Sequence, residues 1–217
     1  ELGYHPNAMA QGLAGGRSKM LALLFPVKER GINTADFAYV LGASDAARAL
    51  GYHILLWSAE GRDDFDAVIE LALRGFIDGV LLMEVNLNDA RLKELKKNNI
   101  TTSLIGRSDP KGRDELFSDR DFEGSIRKAY EYLHNQGHKK IGLINGPERL
   151  RQAKFGAVLR VSESYSAICK EYKQVPDEYF LDHSVKDGRE FAKKFIAKKN
   201  RPTALISFNI ESTQGIY

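Results

Sequence analysis

The chain has 217 residues, 43% of them hydrophobic and 28% charged, with a formal net charge of +3. That is an ordinary composition for a soluble globular protein, and the length admits one large α/β domain or two small ones. The basic residues are spread rather than gathered in a stripe, the one cysteine (Cys169) can form no internal disulfide, and no apolar run is long enough to span a bilayer.

Residues 1–18 differ from the rest. Pro6 is followed by residues 7–16, which read as one short helix with Asn7 as N-cap and Gly15 or Gly16 as its stop. With Gly12 in its middle, so short a helix does not persist alone in water. The segment is therefore expected to be a linker, disordered until it folds against a partner. Residues 1–6 show neither the basic n-region nor the apolar h-region of a signal peptide, and a reducing cytoplasm is the expected compartment.

From residue 19, short apolar runs alternate with amphipathic stretches. The runs at 20–26, 53–58, 79–83, 101–106, 116–119, 140–145, 179–182 and 203–208 read as strands. Several are nearly continuous in Leu, Ile and Val, as strands buried on both faces should be. Phe37, Val40, Leu41, Ala47 and Leu50 are expected on one helical face, with Gly51 closing that helix in a left-handed conformation. Ile126, Ala129, Tyr130 and Leu133 repeat the pattern up to Gly137. Residues 64–76, 187–198 and the second half of 150–171 read as further helices, the last of these carrying Cys169 as a structural thiol.

This alternation specifies an α/β fold of two Rossmann-like lobes, each a parallel sheet flanked by helices. The expected divisions are a linker at 1–18, a first lobe at 19–121 and a second at 122–217. The second lobe is expected to be incomplete, since the chain stops at Tyr217 just as a helix should follow the last strand.

Chemical motifs are sparse. There is no G-x-G-x-x-G or P-loop after the first strand, no G-x-S-x-G elbow, and no metal or triad spacing among His5, His53, His134, His138 and His183. No catalytic set, metal site or cofactor is expected, and an enzyme finds no support. A binding scaffold remains. Ligands of open α/β sheets sit beyond the carboxyl ends of the strands. Those segments carry Asn33, Asp36, Ser58, Glu60, Arg107, Asp121 and Asn209, all able to hydrogen-bond hydroxyl groups.

Five stretches then carry a resemblance. The run from Leu2 to Ala14 (LGYHPNAMAQGLA) resembles the junction between headpiece and core in the lactose-repressor/galactose-repressor (LacI/GalR) family of transcriptional regulators. Ala47 to Tyr52 (ARALGY), Gly75 to Leu82 (GFIDGVLL), Gly137 to Pro147 (GHKKIGLINGP) and Arg201 to Asn209 (RPTALISFN) are similar to further family motifs, in the family's order. The resemblance implies a two-lobe core of periplasmic-binding-protein type, sensing a sugar or sugar phosphate. It also implies a homodimer, operator DNA as partner, a helix-turn-helix headpiece before residue 1, and further residues completing the second lobe. By position, Leu13 would be the apolar wedge at the operator centre, with Asn7 and Ala10 facing the minor groove. An arginine, Arg160 or its rival Arg151, would grip effector hydroxyls. The implied mechanism is a population shift in which effector binding releases DNA; the alternative is a solute-binding protein of a sugar transporter. Two departures stand out. The family's Asn-Asp pair is Asn209-Ile210 here, and Arg160 lies four residues before Ser164-Tyr165 where the family has three before a Gly-aromatic pair.

Overall fold

All eight strands form where the apolar runs place them, with ends shifted by a residue or two, in a computed structural model that describes residues 16–25, 34–58, 62–109 and 111–217. The chain divides into two units, Glu1–Asp119 and Arg120–Tyr217; the expected break was after Asp121.

The first unit runs β1 (Met20–Leu24), α1 (Thr34–Ala49), β2 (His53–Trp57), α2 (Arg62–Leu73), β3 (Gly79–Leu82), α3 (Ala90–Lys97), β4 (Thr102–Ile105) and β5 (Phe117–Ser118). Its sheet has the order β2-β1-β3-β4-β5, with every neighbouring pair parallel. Side chains alternate across it with the period of two that a strand imposes. Ala22 and Leu24 join Val80, Leu82 and Leu104 under Val68 of α2 and Leu95 of α3. Leu23 and Phe25 point the other way, with Met83, toward Tyr39, Val40 and Ala43 of α1. Both faces are covered, which is why the strands read as unbroken apolar runs.

The face of α1 is not the one expected. Ala47 is buried and Val40 half-buried, but Phe37, Leu41 and Leu50 are 55%, 64% and 75% exposed. The buried stripe is Asp36, Tyr39, Val40, Ala43 and Ala47, stepped at three and four residues, about 100° round the helix from the Phe37–Leu41 pair. Helix α3 was not anticipated. Only Leu92 and Leu95 are buried in its eight residues, and its clearest signal is Asp89, whose side chain accepts the Arg91 N–H at the N-cap.

The helix ends repeat one device. Gly51, Gly75 and Gly137 are left-handed, with φ of 72°, 74° and 95°. The next residue's N–H then reaches back to a carbonyl one turn inside the helix: Tyr52 to Ala47 at 2.8 Å, Phe76 to Leu71 at 2.9 Å and His138 to Leu133 at 3.2 Å. This geometry satisfies orphan carbonyls and turns the chain into the next strand.

The second unit runs α4 (Phe122–Asn135), β6 (Ile141–Asn145), α5 (Glu148–Gln152), α6 (Gly156–Glu171), β7 (Glu178–Phe180), α7 (Val185–Ala197), β8 (Ala204–Ser207) and α8 (Ile210–Ile216). Its parallel sheet has the order β7-β6-β8, so β6, buried along its whole length, is central. Ile141 and Leu143 pack with Ile126 and Tyr130 of α4 and with Tyr165 and Ile168 of α6. A polar seam threads this core. The Tyr165 hydroxyl donates to the Ile141 carbonyl at 2.8 Å and accepts the Asp177 N–H at 3.1 Å. The Gln174 side-chain oxygen accepts from the Tyr130 hydroxyl at 2.8 Å and from the Ile141 N–H at 3.1 Å. Burial pushes the Tyr130 hydroxyl up to about 12 and raises the Cys169 thiol as well. Cys169 is thus a buried, protonated structural thiol.

Candidate functional site

In the first unit, the carboxyl ends of β4 and β5 bring Arg107 and Asp119 together. Arg107 Nε donates to Asp119 Oδ2 at 2.9 Å, and the guanidinium lies 5.5 Å from the Phe117 ring. Behind it, the Glu115 carboxylate accepts the Ser108 and Asp109 N–H groups at 3.0 and 2.9 Å, and the Ser108 hydroxyl accepts the Asp89 N–H at 2.9 Å. Burial raises the Asp89 carboxyl, but hydrogen bonds and charge from Arg91 outweigh it and hold the group below its ordinary value. Arg107 therefore stands on a loop fixed by its own hydrogen bonds. Asp36 is buried in the first turn of α1, and Ser58 follows β2 at the surface. Asn33 and Glu60 lie outside the described residues, as do Asn7, Ala10 and Leu13.

The second unit gathers its three candidates around one pair of rings. Phe122 opens α4 and Phe208 ends the β8 segment; their centroids are 5.5 Å apart with planes at 77°. Asp121 immediately precedes Phe122 and caps α4, accepting the Gly124 N–H at 2.8 Å. Asn209 immediately follows Phe208. Arg160, 8% exposed on α6, places its guanidinium 5.2 Å from the Phe122 ring. Arg120 lies 5.3 Å from both Phe122 and Phe208. Two guanidinium groups and two rings thus share one end of the sheet, where Phe122 and Arg160 are buried, Phe208 is half-buried and Arg120 is exposed.

Asn209 is engaged within its own lobe. Its oxygen accepts the Ser212 N–H at 3.0 Å, and its amide donates to the Leu181 and Asp182 carbonyls at 3.0 and 3.3 Å. It caps α8 and ties the ends of β7 and β8 together. Ile210 beside it is exposed. Arg151, the rival to Arg160, is bidentate on Glu148 and lies 5.3 Å from the Phe180 ring. Hydrogen bonding to Arg151 holds the Glu148 carboxyl below its usual range. The residues missed from sequence are Arg120, Phe122 and Phe208, together with His183, whose Nδ1 is 3.5 Å from Glu211. Their one available signal was position, since each lies at the end of a strand-like run or within three residues beyond it.

A cleft of about 560 Å³ in the first unit lies at the other end of its sheet, lined by Arg17, Leu21, Leu50, Tyr52, Ile77 and Asp78 among others. It is apolar and open, with few directional groups, whereas the carboxyl ends carry the polar ones. Its wall includes a clasp. Asp78 accepts the Ser18 N–H at 2.7 Å and hydroxyl at 2.8 Å through one oxygen, and the Lys19 N–H at 3.1 Å through the other. Among the described residues, no group of three or more His, Cys, Asp and Glu could hold a metal ion, and no helix is long and apolar enough to cross a membrane.

No family model matches the chain. It is 29% identical over 213 residues to the HTH-type transcriptional regulator AglR of Rhizobium meliloti (strain 1021), covering 95% of this chain and 58% of that protein. It is 25% identical over 221 residues to catabolite control protein A of Priestia megaterium, covering 99% and 64%. Among solved structures, the lac repressor dimer bound to operator and the anti-inducer ONPF is similar with a TM-score of 0.79 at 18% identity, covering 98% of this chain and 72% of that one. The chain therefore spans less than two thirds of the length of these curated relatives. The structural likeness shows the shared fold of α/β lobes with parallel sheets.

Proposed function

We propose that this chain, which belongs to the LacI family of transcriptional regulators, is the effector-sensing core of a sugar-responsive repressor. The observation that carries the reading is the cluster of Arg120 and Arg160 on the Phe122 and Phe208 rings, at the carboxyl end of the second unit's sheet. A sugar has apolar ring faces and a rim of hydroxyls; aromatic rings take the first and guanidinium N–H groups the second. Asp121 and Asn209 flank the rings. Within the first unit, taken by itself, Asn33, Asp36, Ser58, Glu60 and Arg107 are the residues proposed to bind effector.

In this reading the effector is a sugar or sugar phosphate, and the protein works in the cytoplasm as a homodimer. Asn7, Ala10 and Leu13 contact operator DNA, with Leu13 wedged at its centre. Effector and operator oppose one another through a coupling of about 1–3 kcal/mol. The test is a thermal-shift screen of this chain against neutral monosaccharides, disaccharides and sugar phosphates. A ligand at one hundred times its Kd should stabilise by about 2.7 kcal/mol. Arg160→Ala should abolish the shift at the same ligand concentration while leaving the ligand-free midpoint within a few degrees. A full panel with no stabilising member, or a shift indifferent to Arg160, would sink the assignment.

A further inference from the structure

We infer that the amino-terminal end of the second unit's sheet is a docking face for the phosphate backbone of duplex DNA, read without regard to sequence. The two units divide their charge unequally. Arg120–Tyr217 holds 18 Lys and Arg against 12 Asp and Glu, a net +6, while residues 1–119 hold 14 against 17, a net −3. A charge asymmetry between halves of a chain points to a polyanionic partner for the basic half.

Spread along the sequence, the basic residues of this unit are gathered by the fold. Segments 138–140, 173–177 and 198–203 lead into β6, β7 and β8, and the three parallel strands bring them side by side. Lys140 donates to the Asn200 carbonyl at 2.6 Å, His138 Nδ1 meets the Thr203 hydroxyl at 2.9 Å, and the Gln174 side chain meets Ile141. This end carries Lys139, Lys140, Lys173, Lys198, Lys199 and Arg201. All but Lys140 are exposed. The acids beside them are already engaged: Asp177 lies 3.5 Å from Lys140, and Glu171 pairs with Arg127 at 3.0 Å.

The residue types choose the partner. Lysine is depleted at protein–protein interfaces, whose centres exclude charge. An ammonium is a point charge that meets phosphate without fixed geometry. The face's one guanidinium, Arg201, donates through Nη1 to the Ile196 and Lys198 carbonyls, which ties it to its own loop. A face of five lysines and one tethered arginine gives the sequence-independent, salt-sensitive contact that backbone binding requires.

The experiment is fluorescence anisotropy of a labelled random-sequence duplex titrated with this chain between about 50 and 200 mM salt. Binding should weaken with a log–log slope of about −3 or steeper, since each neutralised phosphate contributes about −0.9. Lys139→Glu with Lys199→Glu should weaken binding about tenfold or more at the low-salt end and flatten the slope. The matched reversal in the first unit, Lys93→Glu with Lys97→Glu, should change it by less than about twofold. Residues 1–15 are intact in both variants, so a selective loss belongs to the basic face. Circular dichroism checks that each variant folds. Absence of binding at low salt, equal loss in both variants, no loss in either, or polyglutamate bound as tightly as duplex would each overturn the inference. Because the duplex is random and no effector is present, the outcome is separate from whether the sugar screen succeeds.

Discussion

Gly188→Ala should unfold the second unit at markedly lower temperature. A Cβ built on Gly188 of α7 would lie 2.0 Å from the Ser212 carbonyl oxygen of α8, where ordinary contact begins at 3.4 Å. The shortfall is 1.4 Å, and the obstacle is backbone, so a rotamer change cannot relieve it. One helix must retreat. Helix α8 has seven residues and is tied down by few bonds: Asn209 to Leu181 and Asp182, and the Ser212 hydroxyl to the Asp182 carbonyl at 2.8 Å. Retreat strains these bonds, each worth about 1 kcal/mol net. Overpacking itself costs about 1–3 kcal/mol. Alanine's helix preference returns about 1 kcal/mol. The balance is a loss of about 2–3 kcal/mol, or roughly 10–20 °C in Tm for a domain near one hundred residues. Thermal unfolding followed by calorimetry measures it. Gly42→Ala in α1 is the control, because a Cβ there meets nothing within 4 Å; it should be neutral or stabilise by up to about 1 kcal/mol. A Gly188→Ala protein as stable as wild type would refute the crossing's geometry.

Other expectations can be checked with the same protein. Tyr165→Phe removes the hydroxyl that serves the Ile141 carbonyl and the Asp177 N–H, and should cost about 1–3 kcal/mol in urea unfolding with little change in m-value; an unchanged midpoint would show that the seam is idle. The Asp78 clasp should be pH-dependent. Burial pushes that carboxyl up, but hydrogen bonds from the Ser18 N–H and hydroxyl and the Lys19 N–H, with the charge of Arg17, outweigh it and leave it below the ordinary 3.8. A depressed value means the clasp's contribution is whole above the ordinary carboxylate value and disappears as pH falls through Asp78's own. Amide exchange at Ser18 and Lys19, corrected for its intrinsic pH dependence, should therefore lose protection only on the acid side, and Asp78→Asn should weaken protection at neutral pH; equal protection in both proteins would dismiss the clasp.

The architecture was legible because both sheets are covered on their two faces, so that β1, β3 and β6 appear as apolar runs that no amphipathic helix would produce. Gly51 and Gly137 were legible for a local reason: the left-handed turn each makes is costly for any other residue. The face of α1 was not, because Phe37 and Leu41 satisfy a helical spacing as well as Val40 and Ala47 do, and only the sheet beneath decides between the two stripes. The candidate cluster lies at the sheet end where the sequence reading places ligands, but the sequence does not announce it as a cluster. Phe122, Phe208 and Arg160 come from α4, the end of β8 and α6, and no spacing along the chain announces that they meet. Asn209 shows the converse. Its position marked it as a contact residue, yet the carbonyls that take its amide belong to Leu181 and Asp182, supplied by a different strand end.

The two ends of the second unit's sheet use different cations, and the difference is chemical. At the carboxyl end the cations lying over rings are all arginine: Arg120 and Arg160 on Phe122, and Arg151 on Phe180. A guanidinium is planar, so a ring beneath it fixes its orientation, which suits directional contact with one small molecule. At the amino end the exposed cations are nearly all lysine, and among the described residues Lys198 alone of them lies over a ring, 5.0 Å from Tyr179. Such groups set a potential rather than a geometry. A long, uniform polyanion is the partner that a potential can hold, because losing one contact is made good by the next phosphate along. Replacing Arg160 by lysine therefore keeps the charge and discards the plane, and it should impair small-molecule binding almost as much as alanine. Replacing Lys139 and Lys199 by arginine keeps the potential, and it should leave duplex binding nearly as it was.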